Sequence, residues 1–151
     1  MMLSSKLVRL IESHSEKITA DAVQRMRKDP ELSHFKKLPD SELRSWARHI
    51  LQHLGDWLAL SDDQQIASCY EGVGKMRFDE AVPLAESVRS FQTLKDLIVA
   101  YVRNQANRQT ALEIYAEEEL EHLLSRFFDR VIYHVVKGYE RARRYDQAAA
   151  S

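Results

Sequence analysis

The sequence has few residues that could bend the chain. Its 151 residues include only four glycines and three prolines, whereas a sheet protein needs such turn residues about every ten positions. This scarcity favours long helices. The single cysteine, Cys69, excludes an internal disulfide and any zinc or iron–sulfur site built from several cysteines.

Net charge and long apolar runs are lacking as well. The 22 basic residues nearly balance the 23 acidic ones, so no overall positive field exists to hold nucleic acid or an anionic membrane. The chain has no run of about 18 apolar residues and no signal-peptide core at its amino terminus. We therefore expect a cytoplasmic protein with no nucleic-acid or membrane partner. Its length fits one compact domain.

Apolar residues recur at intervals of three and four, which predicts an all-α fold. We expect a single domain of about five helices over residues 1–145, followed by a disordered tail over 146–151. The first helix runs from Leu3 to Met26 and ends before Pro30, because proline disfavours helical geometry in the residue before it. The second helix runs from about Ser41 to Leu58.

The third predicted helix is the weakest. A capping box at Ser61 and Gln64 begins it, and it extends to about Arg77. Gly72 and Gly74 lie inside it, and each costs roughly 1 kcal/mol relative to alanine. We therefore expect another backbone to pack closely against this helix.

Residues 84–137, after the start of a fourth helix at Pro83, contain neither glycine nor proline. One helix of that length would be roughly 80 Å long, but a compact domain of this size has a radius of gyration of only about 15 Å. The polar run 104–109 is the best place for a turn. The last helix then spans about Thr110 to Arg144 and is long enough to project from the domain.

The six histidines raise the possibility of a metal or haem site. His49 and His53 are four residues apart, and Glu119 with His122 forms one Glu-x-x-His unit, although a di-iron bundle needs two such units. Haem could be held by His53 or His134, each of which lies beside apolar residues. The alternative is that these histidines are ordinary surface or core-edge residues.

Signatures of catalysis are lacking. The sequence contains no GxSxG, P-loop or GxGxxG motif. Cys69 has no histidine or acid partner that its position in the sequence identifies, and we interpret it as a buried, inert thiol. We therefore do not expect an enzyme and predict no catalytic residues.

Aromatic residues lie on more than one face of the last helix. A helix that is apolar on two faces needs two partners, one of which can be a second copy of the chain. We therefore expect a homodimer, with Phe128, Tyr133 and Tyr139 as its interface.

Several distributed motifs resemble the amino-terminal sensory domain of RsbRD-type co-antagonists, which regulate bacterial stress signalling. The motifs are Tyr70-x-x-x-Gly74-x-x-Arg77, Val82-Pro83-Leu84-x-x-x-Val88-Arg89, and Arg126-Phe127-Phe128-Asp129-Arg130 followed by Tyr133 and Gly138-Tyr139. The resemblance covers most of the chain. It implies an all-helical, globin-like or bundle module without haem, which dimerises, senses a signal and normally precedes an output domain. The sequence ends at Ser151 without one, so we expect a stand-alone module or an excised piece.

The resemblance leads to a hypothesis about sensing. A ligand can shift a conformational equilibrium only by its unequal affinity for two states. We expect an apolar pocket lined by Trp46, Trp57, Phe91 and Phe127, coupled to the last helix. The leading interpretation is thus a non-enzymatic sensory module without a cofactor that binds a signalling partner or ligand. A haem- or metal-binding sensor and a ligand-free helical adaptor are the alternatives.

Overall fold

The computed structural model describes residues 3–60, 62–105 and 109–150, and it confirms the all-α, single-domain fold. Within these ranges the structure has seven α-helices and no strand. The helices are α1 (Ser5–Ser13), α2 (Ser15–Lys28), α3 (Asp40–Leu51), α4 (Leu54–Ala59), α5 (Gln64–Asp79), α6 (Leu84–Gln105) and α7 (Ala111–Ala150). Two short 3-10 turns, Pro30–Leu32 and Phe35–Lys37, join α2 to α3. None of these helices combines the length and apolarity needed to cross a membrane.

The first predicted helix is in fact two, α1 and α2, which meet at His14. The Ser13 hydroxyl donates to the carbonyl of Leu10 at 2.9 Å, and Nδ1 of His14 lies 2.9 Å from the same oxygen. These side chains compete with the backbone for that carbonyl and so favour a local departure from helical geometry. The backbone of His14 accordingly leaves the helical region, with φ −106° and ψ 20°.

The second predicted helix is also divided, because α3 ends at Leu51 and α4 begins at Leu54. His53 adopts φ −124° and ψ 28° between them. The backbone N–H of Gly55 donates to a carboxylate oxygen of Glu12 at 2.9 Å. A carboxylate from α1 thus satisfies one of the free amides at the start of α4 and favours its dipole.

The long stretch after Pro83 is two helices, as predicted, and α6 and α7 pack against each other. Arg103 on α6 pairs with Glu121 on α7 at 2.9 Å. The predicted turn at 104–109 partly overlaps 106–108, which lie outside the described residues, as does Ser61 of the proposed capping box. The structure continues α7 to Ala150 instead of ending it near residue 145, since Gln147 and the alanines after it are strong helix formers.

Helices α5 and α7 cross with their backbones in close contact. A Cβ atom added to Gly74 would lie 2.7 Å from the amide nitrogen of Tyr139, and one added to Gly138 would lie 2.7 Å from Cα of Glu71. The close packing expected at Gly74 is therefore confirmed. The expectation is wrong for Gly72, where an added Cβ would meet nothing within 4 Å.

Candidate functional site

The four predicted pocket residues belong to one aromatic cluster. The rings of Trp46 and Phe91 are 5.2 Å apart, and those of Trp57 and Phe127 are 5.7 Å apart. The two pairs meet at Tyr70 of α5, whose ring lies 5.6 Å from Trp57 and 5.9 Å from Phe91. Tyr70 is not among the predicted pocket residues, although its spacing from Ile66 and Gly74 places it on the buried stripe of α5.

A cavity of about 330 Å³ lies between α3 and α5, at one edge of this cluster. Its lining includes Trp46 but not Trp57, Phe91 or Phe127. The lining residues are Glu42, Ser45, Trp46, His49, Tyr70, Val73, Met76 and Arg77. Only one of the four predicted residues therefore faces this cavity, while Trp57 borders a separate depression next to His53.

Arg77 is the main buried charge beside the cavity. Its guanidinium donates to Glu42 at 2.7 Å and to Glu80 at 2.8 Å, and it lies over the ring of Phe35. The hydrogen bond with Glu80 and the ion pair with Arg77 hold the pKa of Glu42 below its usual value, against the effect of burial. Burial and the adjacent Glu42 raise the pKa of Glu80. The two carboxyl groups therefore differ in their affinity for a proton.

A second charged cluster surrounds His134, one of the proposed haem ligands. Nε2 of this buried imidazole pairs with Asp63, which also accepts from Arg130. Glu71 lies 3.3 Å from Nδ1, without the geometry of a hydrogen bond. The contacts with His134 and then Arg130 lower the pKa of Asp63. Both ring nitrogens of His134 thus face carboxylates, whereas a haem ligand must turn one nitrogen toward the iron.

The other proposed metal or haem residues are engaged elsewhere or exposed. His53 is exposed at the start of α4. Glu119 accepts hydrogen bonds from the backbone and hydroxyl of Ser4 at 3.1 and 2.8 Å, and His122 is exposed. Across the described ranges, no group of three histidine, cysteine or acidic side chains is arranged to hold a metal ion.

The structure corrects two of the three predicted dimer residues. Phe128 is fully buried in the chain's own core, and Tyr139 packs on Phe78 while its hydroxyl donates to the carbonyl of Val82 at 2.8 Å. Both side chains pack within one copy of the chain, because α7 buries a wider face than the spacing of its apolar residues predicted. Only Tyr133 remains exposed, at 60% of its surface.

Cys69 is half-buried on α5 rather than fully buried. Its sulfur lies 3.6 Å from Nε2 of His49, a partner that the sequence did not identify. Burial raises the pKa of the Cys69 thiol, which lowers the fraction of reactive thiolate.

Together these features define a single helical domain with a cavity between α3 and α5. The buried side chains of Arg77 and His134 are held in internal ion pairs. The family comparison gives the particular family: the RsbT co-antagonist protein RsbRD N-terminal domain matches residues 16–150. The chain belongs to this family, as its motifs indicated, and the family implies a regulatory domain in stress signalling. Neither the curated proteins nor the solved structures include a match to this chain.

Proposed function

We propose that the chain is a non-enzymatic sensory module of bacterial stress signalling, in which binding near the aromatic cluster alters the position or association of α7. The observation that carries this proposal is the direct link between the cluster and that helix. Phe127 lies in the aromatic cluster and on α7, and its ring contacts Tyr70 of α5. Among the described helices, α5 and α7 pack against each other most extensively.

The geometry of α7 supports its role as the output element. From Glu140 onward most of its side chains are exposed, so the last three turns extend beyond the core. Isolated helices shorter than about 12–15 residues are marginal in water. The exposed end of α7 is therefore stabilised by the buried part of the same helix and, we propose, by a partner. Its direction depends on how α7 packs in the core.

We propose further that a second copy of the chain covers the exposed face of α7 around Tyr133. This residue presents a large aromatic surface, and Lys137 lies one turn away, with its Nζ atom 5.9 Å from the centre of the Tyr133 ring. Leu112 and Tyr115 are exposed on the same helix. Exposed apolar groups of this size are typical of surfaces that contact another protein.

Sedimentation equilibrium over a range of concentrations tests the self-association. We expect a dimer that Tyr133→Asp dissociates, because a buried carboxylate without a partner is costly. Tyr145→Asp is the matched control: it adds the same charge to another exposed tyrosine of α7, about 120° away around the helix. A wild-type monomer at every concentration, or a dimer that Tyr133→Asp leaves intact, would contradict the proposed interface.

We also propose that the module works without haem or metal, because both nitrogens of His134 face carboxylates. The absorption spectrum and metal content of the purified protein test this part. A Soret band that disappears in His53→Ala or His134→Ala would instead establish the haem-binding alternative.

A further inference from the structure

A groove of about 680 Å³ lies between α2 and α6, and it shares no lining residue with the α3–α5 cavity. The two helices run in opposite directions. Asp29, at the end of α2, pairs with Arg89 near the start of α6 at 2.7 Å, whereas the ring of His14, just before α2, lies 5.8 Å from that of Tyr101 near the end of α6. The volume falls within the range of small-molecule sites.

One end of the groove, which we call the acidic end, carries two carboxylates. Asp21 of α2 and Asp96 of α6 both line the groove. The antiparallel packing brings them to the same level, since Asp21 comes eight residues before Asp29 and Asp96 comes seven residues after Arg89. Both side chains are exposed, and neither forms an ion pair in the part of the chain that the structure describes. Two unpaired carboxylates create a local negative potential, which attracts a cation.

The other end, which we call the basic end, carries two cations. Arg25 and Lys28 line the groove four and seven residues after Asp21, toward the pair of Asp29 and Arg89. Neither cation has an ion pair among the described residues. The hydrogen bond from Arg89 is the main cause of the lowered pKa of Asp29, and the charge of Arg25 contributes to it. Asp29 neutralises Arg89, so the positive potential of this end comes from Arg25 and Lys28.

Uncharged polar groups lie between the two ends. The side chains of Gln24 and Gln92 line the groove from its two helices. Thr93 also lines it and is only 8% exposed. Its hydroxyl forms no hydrogen bond with the described residues, yet it is not among the side-chain atoms that are cut off from the surface. Amides and hydroxyls both donate and accept hydrogen bonds, as a peptide bond does.

The spacing of the charges sets the length of a matching molecule. An α-helix rises about 1.5 Å per residue, so Arg25 and Lys28 lie about 6 and 10 Å beyond Asp21 along α2. A free α-amino acid is too short, because its ammonium and carboxylate groups are bonded to the same carbon atom. An extended chain of three residues spans about 10 Å. A tripeptide with free termini can therefore reach both ends of the groove.

We propose that the α2–α6 groove binds a short peptide with free termini. Its ammonium group pairs with the acidic end, its carboxylate pairs with the basic end, and its peptide groups form hydrogen bonds with Gln24, Gln92 and Thr93. The lining has three acidic and three basic residues, so a molecule with a single charge is attracted at one end and repelled at the other. The groove uses neither the α3–α5 cavity nor the exposed face of α7, and either proposal can fail alone.

The probe is triglycine, added to the full chain and followed through the backbone amides in two-dimensional ¹H–¹⁵N NMR spectra. We expect millimolar triglycine to shift amide signals of α2 and α6 around the groove. Two analogues each lack one charge: N-acetyltriglycine has no ammonium group, and triglycinamide has no carboxylate. Each should bind at least about fivefold more weakly than triglycine, which corresponds to the loss of about 1 kcal/mol.

Two variants test the ends separately. Asp96→Asn and Arg25→Gln each remove one charge from an exposed side chain, and each should weaken triglycine binding about threefold to fivefold. Asp96→Asn should also reduce the preference for triglycine over N-acetyltriglycine, and Arg25→Gln should reduce the preference over triglycinamide, because each variant and its analogue remove the same interaction. Asp56→Asn and Arg9→Gln are the matched controls, since they make the same changes at exposed positions outside the groove.

Several outcomes would overturn the inference. One is that millimolar triglycine leaves the amides of α2 and α6 unmoved. Another is that either analogue binds as tightly as triglycine, which would mean that the groove selects a single charge rather than a zwitterion. Equal weakening by the groove variants and by their controls would mean that only the net charge of the protein matters. The sedimentation result for Tyr133→Asp is independent of all three.

Discussion

Helix α5 has two different sides. On the side that faces α7, Gly74 and Gly138 bring the backbones so close that an added methyl group would overlap main-chain atoms. On the side that faces α3, the same helix borders the cavity between α3 and α5. One side has no free space, and the other has a cavity beside it and three polar atoms without partners in the adjoining core, on Trp46, Tyr70 and Arg77.

This difference shows how one helix can link a binding event to an output helix. Packed interiors resist deformation, so α5 and α7 should move together as one unit. The looser α3–α5 side can change its spacing at lower cost. On the proposed function, a change in the spacing of α3 and α5 would therefore displace α7 as well. We call the face of α5 that packs on α7 its tight side and the face that borders the cavity its open side.

The largest expected loss of stability is on the tight side of α5. Gly74→Ala would place a methyl group against the backbone of Val135 and Tyr139, which cannot rotate away as a side chain can. Overpacking commonly costs about 1–3 kcal/mol and occasionally more, and we expect at least about 3 kcal/mol here. Urea denaturation followed by circular dichroism measures the free energy of unfolding.

Gly72→Ala is the matched control, two residues away on the same helix. An alanine there meets nothing within 4 Å and gains helix propensity, so we expect stabilisation by up to about 1 kcal/mol. Equal destabilisation by the two substitutions would show that α5 tolerates alanine poorly for reasons other than contact with α7. A Gly74→Ala protein as stable as the wild type would contradict the close crossing itself.

These glycines also show what the sequence could and could not predict. The scarcity of glycine and proline and the helical periodicity predicted the helical class, and the polar run 104–109 predicted the division between α6 and α7, because each depends on local patterning. Gly72 and Gly74 look alike in the sequence, and only the packing of α7 distinguishes them. The breaks at His14 and His53 were missed because a local side-chain bond and a carboxylate from another helix produce them.

The candidate site was predictable to a similar, limited extent. Trp46, Trp57, Phe91 and Phe127 come together because apolar stripes point to a common core, and spacing reveals such stripes. The cavity depends instead on Tyr70 and Arg77, whose buried polar atoms no apolar pattern can indicate. Likewise, Phe128 and Tyr139 were assigned to a surface because the width of the buried face of α7 depends on how many helices surround it.

The second largest loss of stability is expected at Arg77, the buried charged residue on the open side of α5. Arg77→Met keeps much of the volume but leaves Glu42 and Glu80 without their shared cation. Breaking a buried ion pair costs about 3–5 kcal/mol, and we expect about 2 kcal/mol because both carboxyl groups remain about one-quarter exposed. Chemical denaturation near neutral pH measures this loss.

Arg89→Met is the control for Arg77→Met. Arg89 pairs with Asp29 at 2.7 Å, but the arginine side chain is about half exposed. Exposed pairs of this kind contribute less than about 1 kcal/mol. If both substitutions cost the same, the buried position of Arg77 would have no special role in holding α3 to α5.

A smaller effect with a defined pH dependence is expected at Glu80. Because the pKa of Glu80 is raised, the folded state binds its proton more tightly than the unfolded state, and this contribution to stability is lost as the pH rises above the usual glutamate value of 4.5. Glu80→Gln mimics the protonated side chain at every pH. We expect it to stabilise the protein at neutral pH by less than about 1 kcal/mol.

Glu42→Gln should have the opposite effect on stability at neutral pH. The lowered pKa of Glu42 means that its contribution is present above the usual value of 4.5 and is lost as the pH falls through its folded value. This variant should therefore be less stable than the wild type at neutral pH and approach it in acid. Thermal unfolding from neutral pH down to about pH 3 distinguishes the two variants, and identical profiles would contradict the assignment of opposite shifts.

The smallest effect is expected at Tyr70, and it is the most direct test of the open side. Its buried hydroxyl has no partner, and burial raises the pKa of the phenol, so the group remains protonated. Removing an unsatisfied polar atom relieves its desolvation cost, and Tyr70→Phe should leave the melting temperature unchanged or slightly higher. Tyr139→Phe removes a buried hydroxyl that donates to the carbonyl of Val82, and it should cost about 1 kcal/mol. A clear loss of stability in Tyr70→Phe would mean that its hydroxyl is already satisfied by bound water, and the two sides of α5 would then differ in space but not in unused hydrogen bonds.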